Sequence, residues 1–156
     1  MRTFLFVLPI EQITVGAVYS SLPLHCTLIS WFNADVTPEV LLDNTSPVFK
    51  QRGHIELVSD TPALFGKNND IPVRRLALSP SLKDLHDDLL NILTDMGVNY
   101  VDSSYVGDGY HPHVTTKNGR SFLPCSHQTI DSVYLVELLK ADKPAGKKVL
   151  AKISLL

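Results

Sequence analysis

A threonine follows a histidine by two residues in three segments of the chain, and two of these segments lie wholly within predicted strands. The first holds His25 and Thr27, and the second holds His113 and Thr115. Side chains two residues apart on a β-strand project from the same face, so each segment presents an imidazole together with a hydroxyl group. If both segments face one cleft, that cleft contains two imidazoles and two hydroxyls.

This set of four side chains suits phosphodiester chemistry without a metal ion. A neutral imidazole can take a proton from an attacking hydroxyl or water, while a protonated imidazole donates one to the leaving oxygen. Histidine can play either part because its unperturbed pKa is about 6.5. Threonine hydroxyls can donate hydrogen bonds to the non-bridging phosphate oxygens. The sequence does not show which of His25 and His113 is the base, and a pair of half-buried histidines satisfied by nearby threonines is the structural alternative.

The elements that must position these groups follow from the hydrophobic pattern and the turn residues. A first helix should begin at Thr37 and Pro38 and end before Pro47, and a second should run from Pro80 to Met96 with His86 beside its apolar stripe. Strands are expected over 3–10, 22–32, 54–59, 71–78 and 110–117, with a turn-rich stretch over 61–70 and a terminal hairpin formed by 129–140 and 148–156. This order favours a single α+β domain over 1–156 with mostly antiparallel sheets.

Charge and composition limit the partners. Fourteen basic and sixteen acidic residues give a net charge of −2, so the chain has no general electrostatic attraction for duplex DNA. No apolar stretch approaches the roughly 20 residues that span a bilayer, and no membrane contact is expected. The two cysteines, Cys26 and Cys125, form no disulfide framework, which favours a reducing, cytoplasmic location.

Several other residues are candidates for contact with the substrate. Tyr105 and Tyr110 lie in a glycine-flanked stretch that can form a loop beside the site. Trp31 has the strand parity of His25 and could stack on a base, although six residues, roughly 20 Å of strand, separate the two, which favours packing. Lys117 shares the parity of His113 at roughly 13 Å along the strand, where it would reach the periphery of a substrate.

The segments 24–28 and 111–115 resemble the paired motifs of the 2H phosphoesterase superfamily, the proteins similar to 2′-5′ RNA ligase. The resemblance implies a bilobal α+β fold, with two mostly antiparallel sheets, each packed on a helix, related by a pseudo-twofold axis around a groove. It implies catalytic roles for His25, Thr27, His113 and Thr115. Many members carry an arginine five positions after the second histidine, where this chain has Asn118.

The activity implied is metal-independent cleavage of 2′,3′-cyclic, 2′-5′ or cyclic-oligonucleotide phosphodiester bonds, with no cofactor. The expected partner is a small nucleotide, a cyclic oligonucleotide or a single-stranded RNA end, bound by a monomer. A phage or viral enzyme that degrades the nucleotide signals of host defence would fit this description. Two alternatives stay open: a nucleotide-binding module without catalysis, and a zinc hydrolase that uses His25, His111 and His113 as ligands.

Overall fold

Antiparallel pairing connects the strands of the chain into a curled half-barrel. The computed structural model describes residues 1–50 and 52–156. The elements follow in the order β1 (Arg2–Pro9), β2 (Val18–Tyr19), β3 (His25–Ala34), α1 (Pro38–Phe49), β4 (Ile55–Phe65), β5 (Ile71–Leu76), α2 (Pro80–Asp95), β6 (Asn99–Tyr100), β7 (His113–Thr115), β8 (His127–Ile130), β9 (Ser132–Leu139) and β10 (Gly146–Ser154). The predicted α+β class is confirmed.

The sheet consists of two halves that meet between β3 and β7. The strand order is β2-β10-β9-β1-β3-β7-β5-β4-β8, and β6 pairs with the free part of β3. At the junction Cys26 lies opposite Val114. The first half therefore contains β2, β10, β9, β1 and β3, and the second contains β7, β5, β4 and β8. These halves are the two antiparallel sheets expected from the resemblance, joined along the strands that carry the histidines.

Helix α2 forms as its sequence predicts and covers one face of the sheet. The Ser79 hydroxyl caps its start by accepting a hydrogen bond from the backbone N–H of Leu82 at 3.2 Å, and proline occupies the first helical position. Leu82, Leu85, Leu89 and Leu93 are fully buried in the main core. Their spacing of three and four residues places them on one stripe of the helix, which fixes the face that α2 turns to the sheet.

Helix α1 continues through Pro47, and the prediction that it ends earlier is wrong. The helix extends to Phe49, with Val48 and Phe49 buried in the core. Pro47 removes the N–H that would bond to the carbonyl of Asp43, a cost of about 3 kcal/mol inside a helix. Both residues are exposed, so water can satisfy that carbonyl. Burial of the two apolar side chains, about 1.5–3 kcal/mol each, offsets this cost.

Three strand predictions need correction. Residues 61–65 form the second part of β4 rather than a turn, with Pro62 accommodated at an irregularity in the pairing between Ser59 and Pro62. The stretch 129–140 is two strands: β8 pairs with β4 and β9 pairs with β1, so the chain changes halves at Asp131. Strand β7 is only three residues long, and Lys117 lies beyond it in a bridge to Arg120. Long-range pairing, which a local pattern does not encode, decides each case.

Within residues 1–50 and 52–156, no helix has both the length and the apolar composition needed to cross a bilayer.

Candidate active site

The β3–β7 junction decides which side chains face the concave side of the sheet. Cys26 and Val114, the paired residues, are both fully buried and point into the main core. Their neighbours in 25–27 and 113–115 alternate with them and are only partly buried. Because side chains alternate along a strand, these neighbours project from the opposite face, away from the helices. The two segments therefore share one surface.

The four predicted catalytic side chains meet on this surface. In an antiparallel pair centred on Cys26 and Val114, His25 lies beside Thr115 and Thr27 lies beside His113. Each imidazole thus has one threonine two residues away on its own strand and the other threonine across the ladder. The arrangement has the local twofold symmetry expected from the repeated motif.

Both imidazoles are oriented by the same kind of hydrogen bond. Nδ1 of His25 lies 2.8 Å from the carbonyl oxygen of Pro23, and Nδ1 of His113 lies 2.8 Å from the carbonyl oxygen of His111. A carbonyl oxygen can only accept, so each Nδ1 must carry the proton. In a neutral ring Nε2 is then a free acceptor, and in a charged ring Nε2–H is a donor. Nε2 is therefore the atom available for proton transfer in both rings.

The surroundings of His25 favour its neutral form. Burial lowers its pKa to about 4, against the opposing effect of the hydrogen bond to Pro23. The positive charges of Lys117 and of a protonated His113 lower the pKa further. A positive charge on His113 therefore disfavours a charge on His25.

His113 shows the same direction of shift. Burial lowers its pKa below the usual value, and the charges of His111 and Arg75 add to this, while the hydrogen bond to the His111 carbonyl opposes it. At neutral pH both rings of the free protein are consequently neutral. A protonated imidazole in this site needs an anion nearby, and a bound phosphate group is such an anion.

A cavity of about 400 Å³ opens beside three of the four candidate side chains. Thr27, Thr115 and His113 form part of its wall; Phe65 closes it on the side of β4 and β5, and Trp31 lies in the wall with Tyr105. This volume is within the range of about 300–1,000 Å³ that is typical of small-ligand sites. His25 is not part of this wall, but Thr115, its neighbour across the ladder, is. The cavity thus combines polar groups that suit a phosphate with flat apolar rings.

Trp31 lines this cavity from an irregular part of β3. The pairing of β1 with β3 contains two register shifts, which fall between Thr27 and Phe32. Bulges of this kind bend a strand and increase its twist. The sequence-based expectation of an ideal strand would leave Trp31 roughly 20 Å from His25. In the structure Trp31 shares a cavity wall with Thr27 and also packs against the small core cluster on the concave side. A contact between Trp31 and a base stays a prediction.

Tyr105 and Lys117 have different surroundings from each other. Tyr105 is 51% exposed and lines the cavity, a position that suits contact with a base. Lys117 donates a hydrogen bond from Nζ to the carbonyl oxygen of Leu22 at 2.9 Å, and burial lowers the pKa of its ammonium group. Its charge acts on His25 across the ladder. Lys117 therefore lies at the His25 side of the site, with one of its three donors already engaged.

Tyr110 lies in the wall of the cavity and is mostly packed beneath it, and its contact with a base stays a prediction. It is only 6% exposed, and its hydroxyl donates to the carbonyl oxygen of Thr27 at 2.9 Å. Its ring stacks on His86 with centroids 3.9 Å apart and an interplanar angle of 3°. These contacts join the segment before β7 to β3. Tyr110 thereby supports the backbone that carries Thr27.

His86 is fully buried, although its sequence position suggests the edge of the apolar stripe. Its Nδ1 donates to the carbonyl oxygen of Leu28 at 2.8 Å, and its Nε2 accepts from the backbone N–H of Gly107 at 3.0 Å. A ring that donates at one nitrogen and accepts at the other is neutral. Burial lowers its pKa, consistent with this state. The feature of the sequence that indicates this burial is the spacing of four residues between His86 and Leu82, which places both on one face of the helix.

Arg75 is a neighbour of the site that sequence reasoning missed. It lies on β5 directly opposite His113, with Val73 opposite Thr115. The alternation within 73–75 would have placed these two side chains on one face. No local pattern, however, indicates that β5 pairs with β7.

The alternative zinc site does not assemble. Across 1–50 and 52–156, no group of three or more histidine, cysteine, aspartate or glutamate side chains is placed to hold a metal ion. His111 instead contributes its backbone carbonyl to the orientation of His113. The geometry therefore gives no support to His25, His111 and His113 as a ligand set.

Comparison with known proteins supports the fold assignment. No protein-family model and no curated protein matches the sequence. Among solved structures, the chain is similar to a phosphoesterase at TM-score 0.65 and 14% identity, covering 99% of this chain and 98% of that one. It is also similar to TT0787 of Thermus thermophilus, at TM-score 0.64 and 16% identity, with 99% and 98% of the two chains covered. The similarity to E. coli LigT complexed with 3′-AMP has a TM-score of 0.65 and 15% identity, and it covers 98% of this chain and 97% of that one. The chain therefore has a LigT-like fold.

The support that Tyr110 gives to Thr27 can be measured as stability. Replacement Tyr110→Phe keeps the ring and removes the donor to the Thr27 carbonyl, so the free energy of unfolding should fall by about 1 kcal/mol. Urea denaturation gives this value. Tyr105→Phe is the matched control, because Tyr105 is half exposed and its hydroxyl has no hydrogen-bond partner within the described ranges; its effect should stay within about 0.5 kcal/mol. Equal losses in the two variants would contradict the proposed support.

Proposed function

We propose that the chain is a phosphodiesterase of the 2H type that acts on a small nucleotide by paired-histidine acid–base catalysis. The observation that carries the proposal is the β3–β7 pairing, which brings two imidazoles and two threonine hydroxyls to one surface beside a cavity of nucleotide size. The LigT-like fold supports it, since solved structures of E. coli LigT contain 3′-AMP, NADP+ and ATP.

In this mechanism His25 is the general base and His113 is the general acid. His25 has a pKa of about 4 and is neutral over most of the working pH range, so its Nε2 can accept a proton. His113 lines the cavity, and its Nε2 carries a proton once a bound phosphate stabilises the imidazolium. Thr27 and Thr115 donate hydrogen bonds to the non-bridging oxygens, whose charge is redistributed in the transition state.

The atoms that react depend on the substrate. With a 2′,3′-cyclic phosphate, His25 takes a proton from the attacking water, the new P–O bond forms, and His113 protonates the ribose oxygen that leaves. With a 2′-5′ or 3′-5′ linkage, the neighbouring ribose hydroxyl attacks, a cyclic phosphate forms, and the 5′-oxygen leaves. This step is the chemical reverse of the first, so His113 takes the proton from the ribose hydroxyl and His25 protonates the 5′-oxygen. In the reverse direction the two histidines exchange roles.

The apolar part of the cavity favours a nucleobase over a simple phosphate ester. Trp31 and Tyr105 in the cavity wall can stack on a base, a contact of about 1–3 kcal/mol. The near-neutral net charge of −2 favours a compact substrate over structured RNA, because extensive phosphate contacts need an excess of cations.

Removal of either imidazole tests the proposal. His25→Ala and His113→Ala should each lower kcat for 2′,3′-cyclic AMP by about 10²- to 10⁴-fold, because each removes one proton-transfer group. His127→Ala, at an exposed position of β8, is the matched control and should retain wild-type turnover. A wild-type chain that binds the nucleotide without turnover would contradict the proposal and match the non-catalytic module.

The pH dependence gives a second test. The reaction needs neutral His25 and protonated His113, and a phosphodiester substrate has no group that titrates near neutrality. The rate constant kcat/KM should therefore decrease as pH falls through about 4, where His25 is protonated. It should also decrease as pH rises above the lowered pKa of His113, by about tenfold per pH unit. The alkaline limb of kcat should lie at higher pH, since bound phosphate raises the pKa of His113. A constant or increasing kcat/KM between about pH 6.5 and 8.5 would contradict the assignment.

A further inference from the structure

Arg75 lies one strand outside the four catalytic candidates, on the same face. Its partner across the β5–β7 ladder is His113, whose other neighbour across the sheet is Thr27. Adjacent strands are about 4.8 Å apart, so Thr27, His113 and Arg75 form a row across three strands. The cation of Arg75 therefore lies beside the proposed position of the scissile phosphate, one strand further from β3 than His113.

The guanidinium group of Arg75 is held by an aromatic ring. Its central carbon lies over the ring of Phe65, 5.4 Å from the centroid. The same ring packs edge-on against His113, with centroids 4.6 Å apart. A stack on the face of a ring restricts the guanidinium while its N–H donors remain available at the edge. Phe65 thus contacts both a cation and the proposed acid.

The other four arginines each have a polar partner. These pairs are Arg2 with Glu137, Arg52 with Asp88, Arg120 with Glu11, and Arg74 with the carbonyl oxygen of Asp60. Within the described part of the chain, the guanidinium of Arg75 has neither a carboxylate partner nor a hydrogen-bond acceptor. Its N–H donors, arranged for bidentate contact with phosphate or carboxylate, are therefore free for a ligand.

We propose that Arg75 binds a second phosphate group of the substrate, next to the scissile one. This inference rests on the proposed function. The scissile phosphate already has two imidazoles and two hydroxyls around it, while Arg75 lies one strand away and over Phe65. On the opposite side, Lys117 is engaged with the Leu22 carbonyl. The substrate class is consequently a nucleotide with at least two separate phosphates, such as a short or cyclic oligonucleotide.

Binding of product-like nucleotides tests this site without turnover. Isothermal titration calorimetry would compare adenosine 3′-monophosphate with adenosine 3′,5′-bisphosphate, so that the contribution of the base cancels. The wild-type chain should bind the bisphosphate about 10- to 100-fold more tightly, as expected for a hydrogen-bonded charge pair. Arg75→Ala should remove this preference, and Arg75→Lys should restore only part of it because lysine lacks the planar fork.

The neighbouring arginine supplies the control. Arg74→Ala removes the same charge from the same strand, but the Arg74 side chain contacts the Asp60 carbonyl, so the preference for the bisphosphate should persist. A preference that survives in Arg75→Ala, or that disappears equally in both variants, would overturn the assignment. So would a wild-type chain that binds the two nucleotides equally or binds neither.

Turnover separates this inference from the proposed function. Adenosine 2′,3′-cyclic phosphate and its 5′-phosphorylated form are compared as substrates. Arg75→Ala should lower the ratio of kcat/KM for the 5′-phosphorylated form to kcat/KM for the other substrate by about 10- to 100-fold. The ratio is the readout because loss of the Arg75 charge also changes the pKa of His113, which affects both substrates alike. Equal losses on both would place Arg75 at the scissile phosphate and overturn the second site. A wild-type chain that cleaves neither, yet keeps its preference for the bisphosphate in binding, would contradict the proposed function and support the phosphate site.

Discussion

The pairing of Cys26 with Val114 is the contact on which the rest of the site depends. It joins the two halves of the sheet and directs both residues into the core. A slip of one residue would exchange the faces of the whole strand, burying His25 and Thr27 and exposing Cys26. Burial of an imidazole without a partner costs free energy, and exposure of Cys26 loses apolar burial. The core therefore specifies the register, and the register brings the imidazoles together.

The same burial controls the protonation of the site. Among the described residues, neither histidine has a carboxylate that would stabilise its charged form; both are oriented by backbone carbonyls, and burial lowers both pKa values. The nearby charges of Lys117 and Arg75 act in the same direction. In the free protein the two imidazoles are thus neutral, and the positive charges of the site lie beside them, on Lys117 and Arg75. An anionic phosphate supplies the missing charge, so that substrate binding and protonation of His113 are coupled.

Sequence patterns correctly predicted the parts of the fold that depend on interactions between residues close together in the chain. Capping and leucine spacing predicted α2, and the alternation of side chains along a strand correctly predicted which neighbours share a face. The C-terminal end of α1 depends on tertiary packing, because burial of Phe49 offsets the cost of Pro47 inside the helix. The division of 129–140 between two halves of the sheet depends on pairing partners that are distant in sequence.

The same limit applies to the site. Both His-x-Thr segments of the site are visible in the sequence, and the resemblance to a known family led to the expectation that they meet at one groove. Their pairing as adjacent strands comes from the topology. The place of Arg75 beside His113 and the burial of Tyr110 on His86 had no local signal strong enough to predict them. Both follow from contacts between residues more than twenty positions apart.

The most direct measurement is a crystal structure of the chain grown with inorganic phosphate. The account predicts one phosphate ion with oxygens within hydrogen-bond distance of Nε2 of both His25 and His113, and of the hydroxyls of Thr27 and Thr115. A phosphate bound by only one of the imidazoles, or an imidazole whose Nε2 turns into the apolar core, would contradict it.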